Sequence, residues 1–129
     1  MRLLENLMSK PITIAVSKGY LLEETIKLFK KADIFFPDDF EESRRLFTFD
    51  KELKYKLIVV RPWDVPAYVE QGAADIGVAG KDVLLEQSPQ VFTLKDLNFG
   101  GCSLVIAGLK GQTINSLRHQ CKVVTKYPN

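Results

Sequence analysis

Six charged side chains stand where a strand or a turn of this chain would end: Lys18, Arg61, Asp64, Asp75, Lys81 and Asp82. Arg61 closes an apolar run and precedes Pro62. An arginine so placed either ends a strand at the surface or projects into a cleft, where it can grip phosphate or carboxylate with paired N–H donors. Lys18 belongs to Ser17-Lys18-Gly19, in which Gly19 permits close approach and lysine adds a full charge to a helix start that already attracts anions. It is not a Walker A loop, because the upstream glycine and the Gly-Lys-Ser/Thr order are both missing; its plain reading is a turn. Asp82 follows Gly80-Lys81 and either caps a helix or holds ribose hydroxyls, as carboxylates do at the strand ends of dinucleotide sites. Asp75 is a candidate to accept backbone N–H bonds and pin the turn after Gly72. Trp63 and Tyr68 can stack on a base, although core packing is the commoner use of a lone tryptophan. The segment from Arg61 to Asp82 therefore describes a wall for an anionic, hydroxyl-bearing small molecule.

Other polar residues suggest less. His119 lies beside Arg118 and Gln120 with no second metal ligand or acid–base partner at workable spacing, so it reads as a surface histidine. No nucleophile elbow or cysteine–histidine pair is visible. Glu41-Glu42 and Arg44-Arg45 read as a solvated face from which one arginine can reach a cleft.

The positioning elements follow from hydrophobic patterning. Ile12–Val16 is a β-rich run bounded by Pro11 and Gly19, and Leu21–Lys31 carries Leu22, Ile26 and Phe29 on one helical face. After a loop at Pro37-Asp38-Asp39, Arg45–Phe49 and Lys56–Val60 predict two strands joined by a turn near Asp50. Asp64 as N-cap, Pro66 in the first turn and Gly72 as stop frame a short helix with Val65, Tyr68 and Val69 inward. Ile76–Val78 is a short strand, Gly80 opens a turn, and Val83–Glu86 continues a helix up to Ser88-Pro89. Beyond it, Val91–Leu94, Cys102–Ala107 and Lys122–Thr125 predict strands, Thr113–His119 a helix, and Asn98-Phe99-Gly100-Gly101 a hinge. Alternating strands and helices argue for an α/β fold.

Composition narrows the class. A hydrophobic fraction of 46% with 26% charged residues fits a soluble globular chain. Eighteen basic against sixteen acidic residues leave a net charge of +2, which gives no argument for a nucleic-acid groove. No apolar run is long enough to span a membrane. Residues 1–10 make a poor signal peptide and read as a short capping helix or arm. Cys102 and Cys121 are then expected as reduced thiols in a cytoplasmic protein. The run Lys122–Asn129 ends where a further helix is expected, so the chain reads as C-terminally truncated.

Taken together, these residues resemble the ATP phosphoribosyltransferase family of histidine biosynthesis, particularly its short form. The resemblance runs from about Ile12 to Asn129. It rests on Ser17-Lys18-Gly19, Arg61-Pro62 with Asp64-Val65-Pro66, the block from Gly72 to Asp82, Leu97-Asn98-Phe99-Gly100 and Val124–Asn129. The Gly72–Asp82 block and the terminal Thr-Lys-Tyr-Pro-Asn are specific, while the Lys-Gly turn is weak. The resemblance implies a periplasmic-binding-protein-like fold of two lobes, the first (residues 1–97) largely present and the second (98–129, with the hinge) incomplete. It implies transfer of phosphoribosyl from phosphoribosyl pyrophosphate to N1 of ATP, with Mg²⁺ accompanying the substrates. It places Lys18, Arg44 and Arg61 toward phosphates, with Arg61 catalytic, and Asp82 on the nucleotide. It places Gly100 and Cys102 at the hinge side of the substrate site and gives Gly72, Asp75 and Gly80 to its turns. It further implies a homo-oligomer joined by a regulatory subunit similar to histidyl-tRNA synthetase. Tyr20 stands where many members carry arginine, and Gly101 where many carry arginine or serine. The family's ribose-5-phosphate loop falls after Asn129, so the fragment is expected to be inactive. A non-catalytic small-ligand-binding lobe of the same architecture is the alternative, because fold alone does not separate the two.

Overall fold

The computed structural model describes residues 10–129. The arm-or-helix reading of residues 1–10 lies almost wholly outside them. Four strands form one mixed sheet in the order β2-β3-β1-β4: β1 (Ile12–Ser17), β2 (Phe47–Phe49), β3 (Tyr55–Val60) and β4 (Ile76–Val78). β3 and β4 flank β1 in parallel, and β2 pairs antiparallel with β3 as a hairpin. Three helices accompany them, α1 (Tyr20–Lys31), α2 (Val65–Glu70) and α3 (Lys81–Gln87).

Every residue of β1 after Ile12 is buried, as a parallel strand covered on both faces must be. Successive side chains point to opposite faces, and the two cores follow that alternation. Ile14, Val16 and Leu57 pack with Leu22 of α1 and with Phe36 and Phe40 of the following loop. Ala15, between them, faces the other way against Val65 of α2 and Ala74, with Ile58, Val60 and Val69 around it. The hairpin is pinned by the buried Asp50 carboxylate, which accepts N–H bonds from Tyr55 at 2.7 Å and Glu52 at 3.1 Å.

The second face is tight because small residues let α2 come close. A Cβ added at Gly77 of β4 would lie 2.9 Å from both Val65 Cγ1 and Val69 Cγ2. Gly77→Ala is therefore expected to cost about 1–3 kcal/mol by overpacking. The midpoint of denaturant unfolding reads it, and an unshifted midpoint would mean that α2 gives way freely.

The carboxyl-terminal third departs from expectation. Val91–Leu94, Cys102–Ala107 and Lys122–Thr125 form no strand, and Thr113–His119 shortens to one 3₁₀ turn at Ile114–Ser116. Cys102–Ala107 is exposed, with Val105 at 81%. Apolar, β-prone residues make a strand only where another strand offers a ladder, and no described strand lies beside these. Within the glycine-rich stretch, Asn98 and Gly100 adopt left-handed φ values of 57° and 73°.

Candidate functional site at the carboxyl edge of the sheet

Parallel pairing brings the candidate residues to one edge. The β1–β3 register ends with Ser17 opposite Val60, so Lys18 and Arg61 are the next residues out of two adjacent strands. The β1–β4 register places Val16 opposite Val78, and the turn through Gly80 carries Asp82 out at the same edge. Lys18 and Arg61 line one cleft of about 460 Å³, together with Pro62, Asp64, Tyr68 and Leu46. A larger hollow of about 520 Å³ runs along α1 beside Leu97–Phe99, away from the strand ends, and its Lys27 is already paired with Glu24 at 2.7 Å.

Lys18 is held rather than loose. Its Nζ donates to the Ser43 carbonyl at 3.0 Å. Ser43 Oγ in turn donates to the Phe40 carbonyl at 2.8 Å and accepts from the Arg45 backbone N–H at 3.3 Å. Gly19, with φ 89°, makes the turn into α1. Asp64 occupies the N-cap position of α2 but makes no side-chain cap bond. That corrects the capping role expected of it; the residue lines the cleft. Tyr68 is 38% exposed and lines the same wall, beside Arg61.

Arg44 is exposed and does not line this cleft. Its neighbour Arg45 does the local work, bonding Asp39 at 2.6 Å and lying 5.8 Å from the Phe40 ring centre. Gly100 passes the first turn of α1, where an added Cβ would meet Leu21 at 3.3 Å. Cys102 and Cys121 are both exposed free thiols. Gly72, φ 71°, ends α2 in the left-handed conformation that favours glycine.

Asp75 stands at the opposite, amino edge of the sheet. It exchanges two bonds with β1: its backbone N–H donates to the Thr13 carbonyl at 2.8 Å, and its Oδ2 accepts the Thr13 N–H at 2.7 Å. The carboxylate thus replaces a strand carbonyl where β4 has not yet begun, and the donor is on β1 rather than in its own turn. Asp75→Ala leaves that N–H without its partner and is expected to cost about 1–3 kcal/mol, whereas Asp75→Asn keeps an acceptor and most of the stability. Thermal unfolding of the two variants checks this. Equal losses would show that the charge, not the acceptor, matters.

Asp82 is the second residue of α3, whose N-cap is Gly80. Its Oδ2 accepts the Tyr127 hydroxyl at 2.5 Å, and its Oδ1 lies so close over Gly80 that a Cβ there would overlap it. Tyr127 and Ser43 are among the site neighbours that reading the sequence did not single out. Tyr127 sits in the terminal Thr-Lys-Tyr-Pro-Asn block, whereas Ser43 acts through a backbone carbonyl that leaves no trace in sequence.

This is the arrangement of open α/β domains, in which ligands sit outside the carboxyl ends of the strands. Known proteins narrow it further. The family model HisG: ATP phosphoribosyltransferase matches residues 61–129, and the chain belongs to that family. It is 43% identical over 118 residues to the ATP phosphoribosyltransferase of Geobacillus kaustophilus, covering 92% of this chain and 56% of that one. It is 46% identical over 121 residues to that of Syntrophomonas wolfei, covering 91% and 55%. Among solved structures, the ATP phosphoribosyl transferase (HisG:HisZ) complex from Thermotoga maritima superposes with a TM-score of 0.51 at 33% identity, over 63% of this chain and 37% of that one. The chain spans a little over half the length of the curated relatives it matches.

Proposed function

We propose that this chain is the phosphate- and nucleotide-side part of an ATP phosphoribosyltransferase, the first enzyme of histidine biosynthesis. The observation that carries this is the placement of Lys18 and Arg61 on one cleft at the carboxyl ends of adjacent parallel strands. In the reaction, N1 of the ATP adenine forms a bond to C1 of phosphoribosyl pyrophosphate while the bond from C1 to the pyrophosphate oxygen breaks. The departing pyrophosphate gains charge, and fixed cations near it lower the barrier. Lys18 and Arg61 supply that charge, Arg61 with a planar fork suited to phosphate oxygens. Asp82 takes the ribose hydroxyls of the nucleotide, with Gly80 keeping room for its carboxylate. Asp64 is the one carboxylate lining the cleft, and no cluster of three metal-ligating side chains occurs among the described residues. That donor set suits Mg²⁺ carried in on substrate phosphates rather than caged by protein.

The same reading makes residues 1–97 the first of two periplasmic-binding-protein-like lobes and 98–129 the hinge and start of the second, with Gly100 and Cys102 at the hinge. Arg44 is left as an accessory cation that would reach phosphate only by movement of its loop. The partners are a homo-oligomeric copy and a HisZ-like subunit similar to histidyl-tRNA synthetase, in keeping with the HisG:HisZ pairing of the Thermotoga maritima complex. A cytoplasmic location goes with the enzyme reading. No helix among the described residues is long and apolar enough to cross a membrane. The test is formation of phosphoribosyl-ATP from ATP and phosphoribosyl pyrophosphate, followed by absorbance. It compares this chain with the chain continued to the full length of its relatives. Turnover only in the longer protein is expected. Absence of turnover and of nucleotide binding in both, with the HisZ-like subunit present, would replace the enzyme by a ligand-binding module.

A further inference from the structure

The segment Lys126–Asn129 folds back over α3 and Trp63. The Tyr127 ring lies 5.6 Å from that of Trp63, and Lys126 Nζ lies 5.5 Å from the Trp63 ring centre and 4.9 Å from that of Tyr127. Asn129 donates from its backbone to Glu86 Oε1 and from Nδ2 to the Glu86 carbonyl, each at 3.1 Å. Gln87 Nε2 donates to the Trp63 carbonyl at 2.8 Å and so ties α3 to the same cluster. These contacts hold the Tyr127 phenol on Asp82, 45 residues away in sequence. Oδ2 of Asp82 is therefore engaged by the phenol, while Oδ1 lies close over Gly80 and accepts no hydrogen bond from the described residues. The Asp82 hydrogen bond, ahead of an opposing contribution from Lys126, holds the Tyr127 phenol above the usual tyrosine pKa.

We propose that Tyr127 competes with the nucleotide at Asp82: its phenol occupies Oδ2, and a ligand hydroxyl takes that oxygen only by displacing it. The inference rests on the assignment of Asp82 to the nucleotide made above. A ribose 2′,3′-diol that uses both carboxylate oxygens breaks the phenol bond to make its second one, so its net gain is one charge-assisted bond rather than two. A nucleotide without those hydroxyls leaves the phenol in place.

The experiment is isothermal titration of ATP and of 2′,3′-dideoxy-ATP into the protein continued to the full length of its relatives, as wild type and as Tyr127→Phe. Phenylalanine keeps the ring against Trp63 and removes only the hydroxyl. ATP is expected to bind about threefold to tenfold more tightly to Tyr127→Phe, the worth of one hydrogen bond no longer broken. Dideoxy-ATP, which cannot compete for Asp82, is expected to bind both proteins equally. A purely structural role for Tyr127 would shift both ligands together, and that result overturns the proposal. Equal ATP affinity in the two proteins overturns it as well, while leaving the nucleotide reading of the site intact. If ATP binds no more tightly than dideoxy-ATP in either protein, Asp82 does not hold the ribose, and both readings fall.

Discussion

Arg61→Ala, in the protein continued to the length of its relatives, is expected to lower turnover by about a hundredfold or more, the usual effect of removing a fixed charge from a developing anion. Folding should hardly notice. Arg61 is exposed, follows the last residue of β3 and makes its contribution to the cleft rather than to either core. Substitutions of that kind usually stay within about half a kcal/mol. The pattern of the loss matters as much as its size. An arginine that neutralises the leaving pyrophosphate lowers kcat, whereas one that merely holds the ground-state phosphate raises KM with kcat unchanged. Arg61→Lys separates charge from shape, since it keeps the cation and loses the planar fork. It is expected to recover part of the turnover. An unaltered turnover number in Arg61→Ala would remove Arg61 from the chemistry altogether, and a large fall in melting temperature would move it from the cleft into the fold.

How far the sequence carried this picture depended on whether each feature was local. β1, α1, β3, α2, β4 and α3 were all visible, because each is an apolar run or helical face bounded by its own glycine, proline or capping residue. The edge shared by Lys18, Arg61 and Asp82 was visible for the same reason: each follows the end of a run that had to be a strand. Features that depend on a distant partner were not. Leu104-Val105-Ile106 looks as strand-like as Ile12–Val16, yet the second run has two neighbours to pair with and the first has none among the described residues. Asp64 has the right type and place for a cap, yet its side chain makes no cap bond. Asp75 accepts a bond from Thr13, 62 residues earlier, and Asp82 from Tyr127, 45 residues later. No local pattern encodes either pairing. Which of the adjacent Arg44 and Arg45 is held in place was likewise not legible, since Asp39 and the Phe40 ring decide it.

Phe40 joins the core to the site, and Phe40→Ala is expected to be the most damaging single core change, at about 3–5 kcal/mol. The side chain is 1% exposed and packs with Ile14, Val16, Leu22, Phe36 and Leu57. A native state is commonly only about 5–15 kcal/mol more stable than the unfolded chain, so such a loss lowers the urea midpoint steeply. An unchanged slope would show that the folded state keeps its compactness. The second consequence is functional. The Phe40 carbonyl accepts the Ser43 hydroxyl at 2.8 Å, and the Ser43 carbonyl accepts Lys18 Nζ at 3.0 Å. Without the ring beneath it, the loop from Pro37 to Arg45 loses its anchor, and Lys18 loses the acceptor that holds it at the cleft mouth. Pyrophosphate affinity, measured below the unfolding transition, is therefore expected to fall several-fold in Phe40→Ala. Phe40→Leu, which keeps most of the buried volume, should lose less of both quantities. A variant that is destabilised yet binds pyrophosphate normally would show that Lys18 finds its place without the loop. The bond to Ser43 would then be a consequence of folding and not a support for the site.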